Sequence, residues 1–441
     1  MLIQEIYLII FQLIDLIYPT LQTVWEIIKV WWWLPLPFVF FKLWKYHYLY
    51  FIQERWDNKT KIILIEVKIP KEIVKPIRAM EQIFAGFHGV IHGGPNWREQ
   101  WLEGEYQLGL SLEIVSIEGK IHFYIRLPEM HQQMIESAIY SQYPNAEISV
   151  VNDYTKQVPQ NIPNKNWDIW GADFINTRDE CYPIKTYQEF ETETEKIEEK
   201  KIDPLSIFLE GISSLGAGEQ MWLQIRIKPV LGEKDNPWQK KGKQLVDKLA
   251  KRPEKPKLKS IFKEAAQIII FGPPKTTESQ KEAFPPEMKL TPGEKEVLTA
   301  VEKKLSKFGF ESFIRFVYIG KKDVFFKPKV RIILSFFKEI SSENLGGLRS
   351  SSQTATKVKS TFYWFLDKRR LYQRKRKMFR HYVNRIPAFF PKPGMTFVLN
   401  TEELATLFHF PSEAAVSTAS VSRVEVKKKE APADLPLEDD E

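Results

Sequence analysis

The sequence predicts an α+β chain with N-terminal membrane helices followed by two ferredoxin-like (βαββαβ-type) sandwich domains. Three observations predict it. Residues 30–41 (VWWWLPLPFVFF) run without a charge. Between residues 61 and 151 the apolar spacing switches between strand-like and helix-like periods in the order β-α-β-β-α-β, the split β-α-β motif. A helix-then-strand pattern recurs between residues 203 and 340 and points to a second, related unit.

Residues 1–55 read as a membrane anchor. Residues 1–29 are mostly Leu, Ile, Tyr, Phe and Trp, and their polar members (Gln4, Glu5, Gln12, Asp15, Gln22, Thr23, Glu26, Lys29) share one side of a helical wheel. A spanning helix needs about 20 largely apolar residues, so residues 30–41 alone are too short. Pro35 and Pro37 kink that run, and Pro19 breaks the helix before it. The expectation is two pieces: an apolar helix with one polar stripe, then a Trp-rich kinked segment. Carboxylates in lipid are costly unless they face water or a partner, so the stripe points to helix association or to a helix lying in the interface plane. Trp31, Trp32, Trp33 and Trp44, with Tyr46, Tyr48 and Tyr50, fit a headgroup-level aromatic belt. Lys42, Lys45, Arg55, Lys59 and Lys61 follow, which places the bulk of the chain in the cytoplasm by the positive-inside rule. The alternative is a buried helix of a soluble core, which three adjacent Trp beside a Pro-rich run suit poorly. A cleaved signal peptide lacks its basic start and small-residue cleavage site here.

The length of 441 residues allows two or three domains. A net charge of +8 is compatible with anionic lipid or nucleic acid but is modest for this length. The lone Cys181 excludes a disulfide framework and a Cys-based zinc site, and it agrees with a reducing compartment. Its plain reading is a small buried thiol.

The first α+β domain spans residues 56–155. Residues 61–69 (KIILIEVKI) form a strand ended by Pro70. Residues 72–88 form a helix with Ile73, Ile77, Met80, Ile83, Phe84 and Phe87 on one side, and Gly86, Gly89, Gly93 and Gly94 break it. Residues 108–116 and 120–127 are a hairpin around Glu118-Gly119. Pro128 starts a helix to about residue 142, and residues 146–151 form the last strand. The second domain spans residues 156–345. It holds a helix over 203–215 (N-cap Asp203, Pro204 at N1), a strand over 220–229, and a helix over 291–308 with a Thr291/Glu294 capping box. A strand over 310–319 and further apolar elements over 324–340 follow. Residues 189–201, 236–260 and 271–289, charged or Pro-containing, read as linkers or solvated helices. Residues 346–410 hold a basic helical segment and a closing strand and helix. Residues 411–441 read as disordered.

Motifs that carry chemistry are sparse, and no cofactor or metal is implied. There is no GxxxxGK[ST]. Gly272-Pro273-Pro274-Lys275-Thr276 resembles a fragment of one, but Pro lacks the N–H groups of a phosphate cradle. His88 and His92 have metal-ligand spacing for a helix, yet the surrounding glycines and the missing third ligand favour a loop. No Ser/His/Asp arrangement has local support, and the chain reads as a non-enzyme. The strongest patch is Lys368, Arg369, Arg370, Arg374, Lys375, Arg376, Lys377, Arg380 and Arg385, interleaved with Leu371, Tyr372, Met378, Phe379 and Tyr382. It suits nucleic-acid phosphates, an anionic bilayer, or a solvated helix docked by its apolar side.

Three stretches carry a family resemblance: WWWLPLPFVFFKLW at 31–44, IEVKIPKEIVKPIRAMEQIFAGFHG at 65–89 and FVLNTEELATLFHFP at 397–411. They resemble the N-terminal, pre-ATPase region of membrane-anchored type IV secretion and conjugative coupling-type proteins of bacteria. Such proteins commonly continue into a P-loop motor, and residues 431–436 look like the linker before it. The resemblance implies a membrane-bound, non-enzymatic assembly component of a translocation or DNA-transfer system. Its implied partners are membrane lipid, a separate ATPase or other secretion subunit, DNA, and further copies of itself. It transfers no catalytic residue.

Overall fold

A computed structural model describes residues 18–19, 22–34, 36–70, 75–90, 95–190, 203–231, 236–252, 290–359, 364–386 and 394–411. The chain divides into two units, one of residues 1–61 with 94–106 and one of residues 62–93 with 107–441.

In the first unit α1 (Gln22–Trp31) and α2 (Leu36–Asp57) are bent by 48° at the Pro-containing break. Among the described residues no single helix is long and apolar enough to cross a membrane, whereas this bent pair meets that test together by length and composition. Trp31, Trp32, Trp33 and Trp44 are all more than half exposed, and the only buried residue described on α2 is Ile52. A core helix would bury that aromatic surface. A π-helical turn at Glu99–Glu103 packs on α2. The Tyr48 hydroxyl donates to the Trp101 carbonyl (2.9 Å), and the Lys45 ammonium lies 5.1 Å from the Trp101 ring centre. Gly104 closes the turn at φ +77°, and a Cβ there would stand 2.3 Å from the Ile52 carbonyl oxygen. Only glycine meets both demands.

The second unit is built on one antiparallel sheet of nine strands. In chain order it contains β1 (Ile62–Lys68), α3 (Arg78–Val90), β2 (Leu110–Ile117), β3 (Lys120–Pro128), α4 (Gln132–Gln142) and β4 (Glu147–Val151). Then come β5 (Trp167–Asn176), α5 (Tyr187–Phe190), α6 (Ser206–Ser213), β6 (Glu219–Pro229), α7 (Trp238–Leu249), α8 (Pro292–Leu305) and β7 (Gly309–Lys321). The unit closes with α9 (Arg331–Glu339), β8 (Leu348–Ser350), α10 (Asp367–Val383), β9 (Phe397–Asn400) and α11 (Thr401–Leu407). The strand order is β4-β1-β3-β2-β6-β7-β5-β8, and β9 also pairs with β7. The two stretches that the sequence assigns to separate sandwiches therefore join edge to edge, because β2 pairs with β6 along its whole length.

Several local forecasts match. Glu118 and Gly119 both take positive φ (52° and 84°) between β2 and β3, as a two-residue hairpin turn requires. Thr291 and Glu294 form a reciprocal capping box at the start of α8. Others differ. Helix α3 starts at Arg78 rather than at residue 72 and ends at Val90, two residues past the expected end. A Cβ at Gly86 would lie 3.2 Å from that of Ala138, so this glycine lets α3 and α4 pack closely. Of the two readings open for residues 236–260, residues 238–249 take the helical one as α7, and it is docked rather than fully solvated, because Trp238, Gly242 and Val246 recur every four residues and are buried. Strand β5 has no counterpart in the sequence reading. Residues 191–202, 253–289 and 412–441, with the charged run, the Gly272–Thr276 fragment and the tail, lie outside the described residues.

One sheet face buries the larger core, with Ile65, Phe84, Phe123, Ile225, Phe316 and Phe336 among its members. The opposite face buries a smaller cluster with a polar centre, in which Trp222, Val317 and Tyr154 meet Met378, Phe379 and Tyr382 of α10.

Candidate polyanion-binding face

Helix α10 carries most of the basic patch and docks by its apolar side. Cations three or four residues apart (Arg370 and Arg374, Arg374 and Lys377, Arg376 and Arg380) cost such a helix about 0.2–0.5 kcal/mol per pair. Burying a side chain such as Met378 or Phe379 returns about 1.5–3 kcal/mol each. Docking therefore outweighs the repulsion and holds the cations in a row over the sheet.

Lys368, Arg369, Arg370, Lys377 and Arg380 are exposed. Arg374 is half-buried and donates to the Lys357 carbonyl (2.8 Å). Lys375 bonds both oxygens of Asp168 (2.6 and 2.7 Å). Arg376 is half-buried. Two open clefts flank α10. One, of about 620 Å³, takes in Lys165, Lys322, Lys368, Tyr372, Arg376 and the Lys375–Asp168 pair. The other, of about 790 Å³, is lined by Lys357, Lys359, Arg370, Arg374 and Lys377 with no carboxylate among its described residues. His381 sits beneath this surface. Burial, helped by Arg315, Lys377 and Arg380 and opposed by Asp173, pushes its ring down to about 4.

Arg385 departs from the grouping made on sequence. It lies two residues past α10 at φ 53°, only 4% exposed, and is not available on the basic surface. Its Nε and Nη2 donate to Glu113 (3.0 and 3.1 Å), and Nη1 donates to Asp153. Glu113 is fully buried on β2 and also accepts from Ser111 (2.7 Å), Tyr154 (2.7 Å) and Gln224 (3.0 Å). Burial alone would raise the Glu113 carboxyl, but the Arg385 charge and these hydrogen bonds outweigh it and hold it below the usual carboxylate range. Asp153 is held low in the same way, burial being outweighed mainly by Arg385 and Thr155. Glu113, Asp153, Tyr154 and Gln224 carry no local sequence signal, since Glu113 meets Arg385 across 272 residues of chain and Gln224 across 111.

The third family-marker stretch is structural. Asn400 and Glu403 cap α11 reciprocally, and Glu403 pairs with the buried Lys304 at 3.1 Å. His88 sits on α3 with its Nε2 3.2 Å from the Val230 carbonyl oxygen and its ring stacked on Phe308, and His92 lies outside the described residues. Among the described residues no three His, Cys, Asp or Glu side chains gather as a metal site. Cys181 is buried, and burial pushes its thiol up to about 12, which marks it as unreactive.

No protein of curated function matches this sequence. A family model described as a domain of unknown function (DUF8128) matches residues 56–423, which take in the whole sheet and α10. The chain belongs to the DUF8128 family.

Proposed function

We propose that this protein is a membrane-attached, non-enzymatic assembly component of a type IV secretion-like or DNA-transfer complex. The single observation that carries the reading is the exposed aromatic belt on the bent pair α1–α2, only four residues upstream of the sheet's first strand. Trp and Tyr at that density belong at a bilayer–water boundary. The bulk of the chain then faces the cytoplasm, and a separate ATPase supplies the work. The strand order supports reading the sheet as two ferredoxin-like halves. Numbered within each half, β4-β1-β3-β2 and β8-β5-β7-β6 both run 4-1-3-2. Such a duplicated sheet is a rigid platform for assembly with other subunits or further copies. Extraction of the full-length protein from its native membrane in gentle detergent, followed by mass spectrometry, tests the reading. Co-purification of a P-loop ATPase in stoichiometric amount supports it. A strictly monomeric protein that brings down no ATPase sinks it.

A second reading, nucleic-acid binding at the membrane, is favoured by the carboxylate-free cleft beside α10. Its mark is binding to polynucleotide that falls log-linearly with salt. Binding to anionic vesicles without polynucleotide binding would assign the cleft to lipid instead.

A further inference from the structure

The π-helical turn at Glu99–Glu103 comes after β1 and α3 in the chain, yet it belongs to the same unit as α1 and α2. An unbroken row of rings joins it to α2. Trp97 stacks on Trp101 (ring centres 6.4 Å apart), Trp101 on Tyr48 (6.4 Å) and Tyr48 on Trp44 (5.2 Å). Trp97 and Trp101 stand four residues apart, so the turn presents both rings on one side. Just past the turn, the Tyr106 hydroxyl donates to Asp57 (2.7 Å) and its ring packs on Trp56 (5.4 Å). The outer end of the row is bare: Trp97 is 71% exposed, and Leu102 on the turn is 59% exposed.

Two magnitudes decide what covers this surface. The first is size. A tryptophan side chain offers about 150–250 Å², so Trp97 and Leu102 together fall well short of the roughly 800 Å² per partner that a stable protein interface buries. The second is level. Trp44 and Tyr48 lie four residues apart on α2, about 6 Å along its axis, and Trp101 packs against Tyr48 and Lys45. The headgroup layer is about 5–8 Å thick on each side of the hydrocarbon. A bilayer that holds Trp44 at its boundary therefore reaches the turn as well. The charges agree with that depth and with none greater. Lys42, Lys45 and Arg98 are exposed and suit lipid phosphates, whereas the exposed Glu103 would be costly inside the hydrocarbon.

We propose, resting on the membrane attachment put forward above, that residues 96–104 are a second membrane-contact element. Trp97 and Leu102 insert at the headgroup level of the bilayer that holds α1–α2. The partner is the lipid–water boundary, where the amphipathic indole ring sits by preference. Lys45, 5.1 Å from the centre of the Trp101 ring, places a cation beside it. Attachment itself stays with α1–α2. The turn braces Tyr48 from the side and so sets how far α2 enters the surface.

The test uses the full-length protein in vesicles of phosphatidylcholine and phosphatidylglycerol. In a Cys181→Ser background, the single substitutions Phe38→Cys, Trp97→Cys and Leu102→Cys each carry the fluorophore NBD. Two quenchers are compared: iodide in the water, and phosphatidylcholine spin-labelled at its headgroup in the bilayer. The spin-labelled lipid should remove most of the emission at both turn positions, and iodide should remove little. Leu102 lies outside the ring stack, so it keeps the test decisive if loss of Trp97 loosens the turn. Phe38, exposed on α2, reports the attachment separately. Lipid quenching at Phe38 together with iodide quenching at both turn positions overturns the second contact and leaves the attachment standing. Protection from both quenchers at the turn places a protein surface there and overturns the second contact as well. Absence of lipid quenching at Phe38 overturns the attachment and, with it, this contact.

Discussion

Replacing Glu113 by Gln keeps the side chain's shape and removes the charge that neutralises Arg385. Glu113 is fully buried and Arg385 is 4% exposed. Glu113 accepts from Arg385 twice and once each from Ser111, Tyr154 and Gln224. In the variant an amide N–H replaces one of the two acceptor oxygens, so at least one donor faces another donor. Arg385 then keeps only Asp153 as a counter-charge. Breaking one half of a buried pair costs about 3–5 kcal/mol, or roughly 6–20 °C in melting temperature for a domain of a few hundred residues. Urea and thermal unfolding of the purified full-length protein, followed by far-UV circular dichroism, measure it. The double variant Glu113→Gln/Arg385→Gln should lose less than the sum of the single losses, by about 0.5–3 kcal/mol. A Glu113→Gln protein within about 1 kcal/mol of the wild type, or strictly additive losses, would refute the reasoning.

Four further outcomes follow from the structure. The His381 ring, pushed down to about 4, stays neutral in the folded state at pH values where an unfolded histidine, near 6.5, takes a proton. Stability should therefore fall by about 1–2 kcal/mol, after allowance for its partial exposure, as pH drops through that window, and His381→Gln should flatten the decline. Glu113 and Asp153, both held low, stabilise the fold above the ordinary carboxylate range near pH 4, and their contribution is lost as pH falls through their folded values. Arg370→Glu with Lys377→Glu should weaken binding to a duplex oligonucleotide and lower the slope of log affinity against log salt by about two, whereas an unchanged slope removes the cleft from the nucleic-acid reading. Gly104→Ala combines a strained φ with a 2.3 Å approach to the Ile52 carbonyl. It should cost about 1–3 kcal/mol and speed proteolysis between residues 94 and 106, and unchanged cleavage there would show that the turn tolerates a side chain.

What could be read from sequence was what neighbouring residues decide. The β2–β3 hairpin announces itself in Glu118-Gly119, and α8 in Thr291-Pro292 with Glu294, because turn and cap chemistry act over a few residues. The docked side of α7 is hard to see in the sequence because a single apolar or small residue every four, set among lysines, gives a faint period. The end of α3 is legible to within two residues, whereas its start at Arg78 is not, since the apolar spacing of Ile73 and Ile77 runs on ahead of it. At the candidate site, composition alone marks the α10 cations. It does not separate Arg374, which lines a cleft, from Arg385, which turns inward to Glu113 across 272 residues of chain.

The central claim is attachment to a membrane through the aromatic pair α1–α2. Its most direct measurement is alkaline carbonate washing of native membranes carrying either the full-length protein or a variant with Trp31, Trp32, Trp33, Phe38, Phe40 and Phe41 changed to Ser. These residues are exposed and lie on or between the two helices. The account expects the wild type to stay in the membrane pellet and the variant to move, still folded, to the supernatant. A wild type that washes free, or a variant that stays behind, would contradict it.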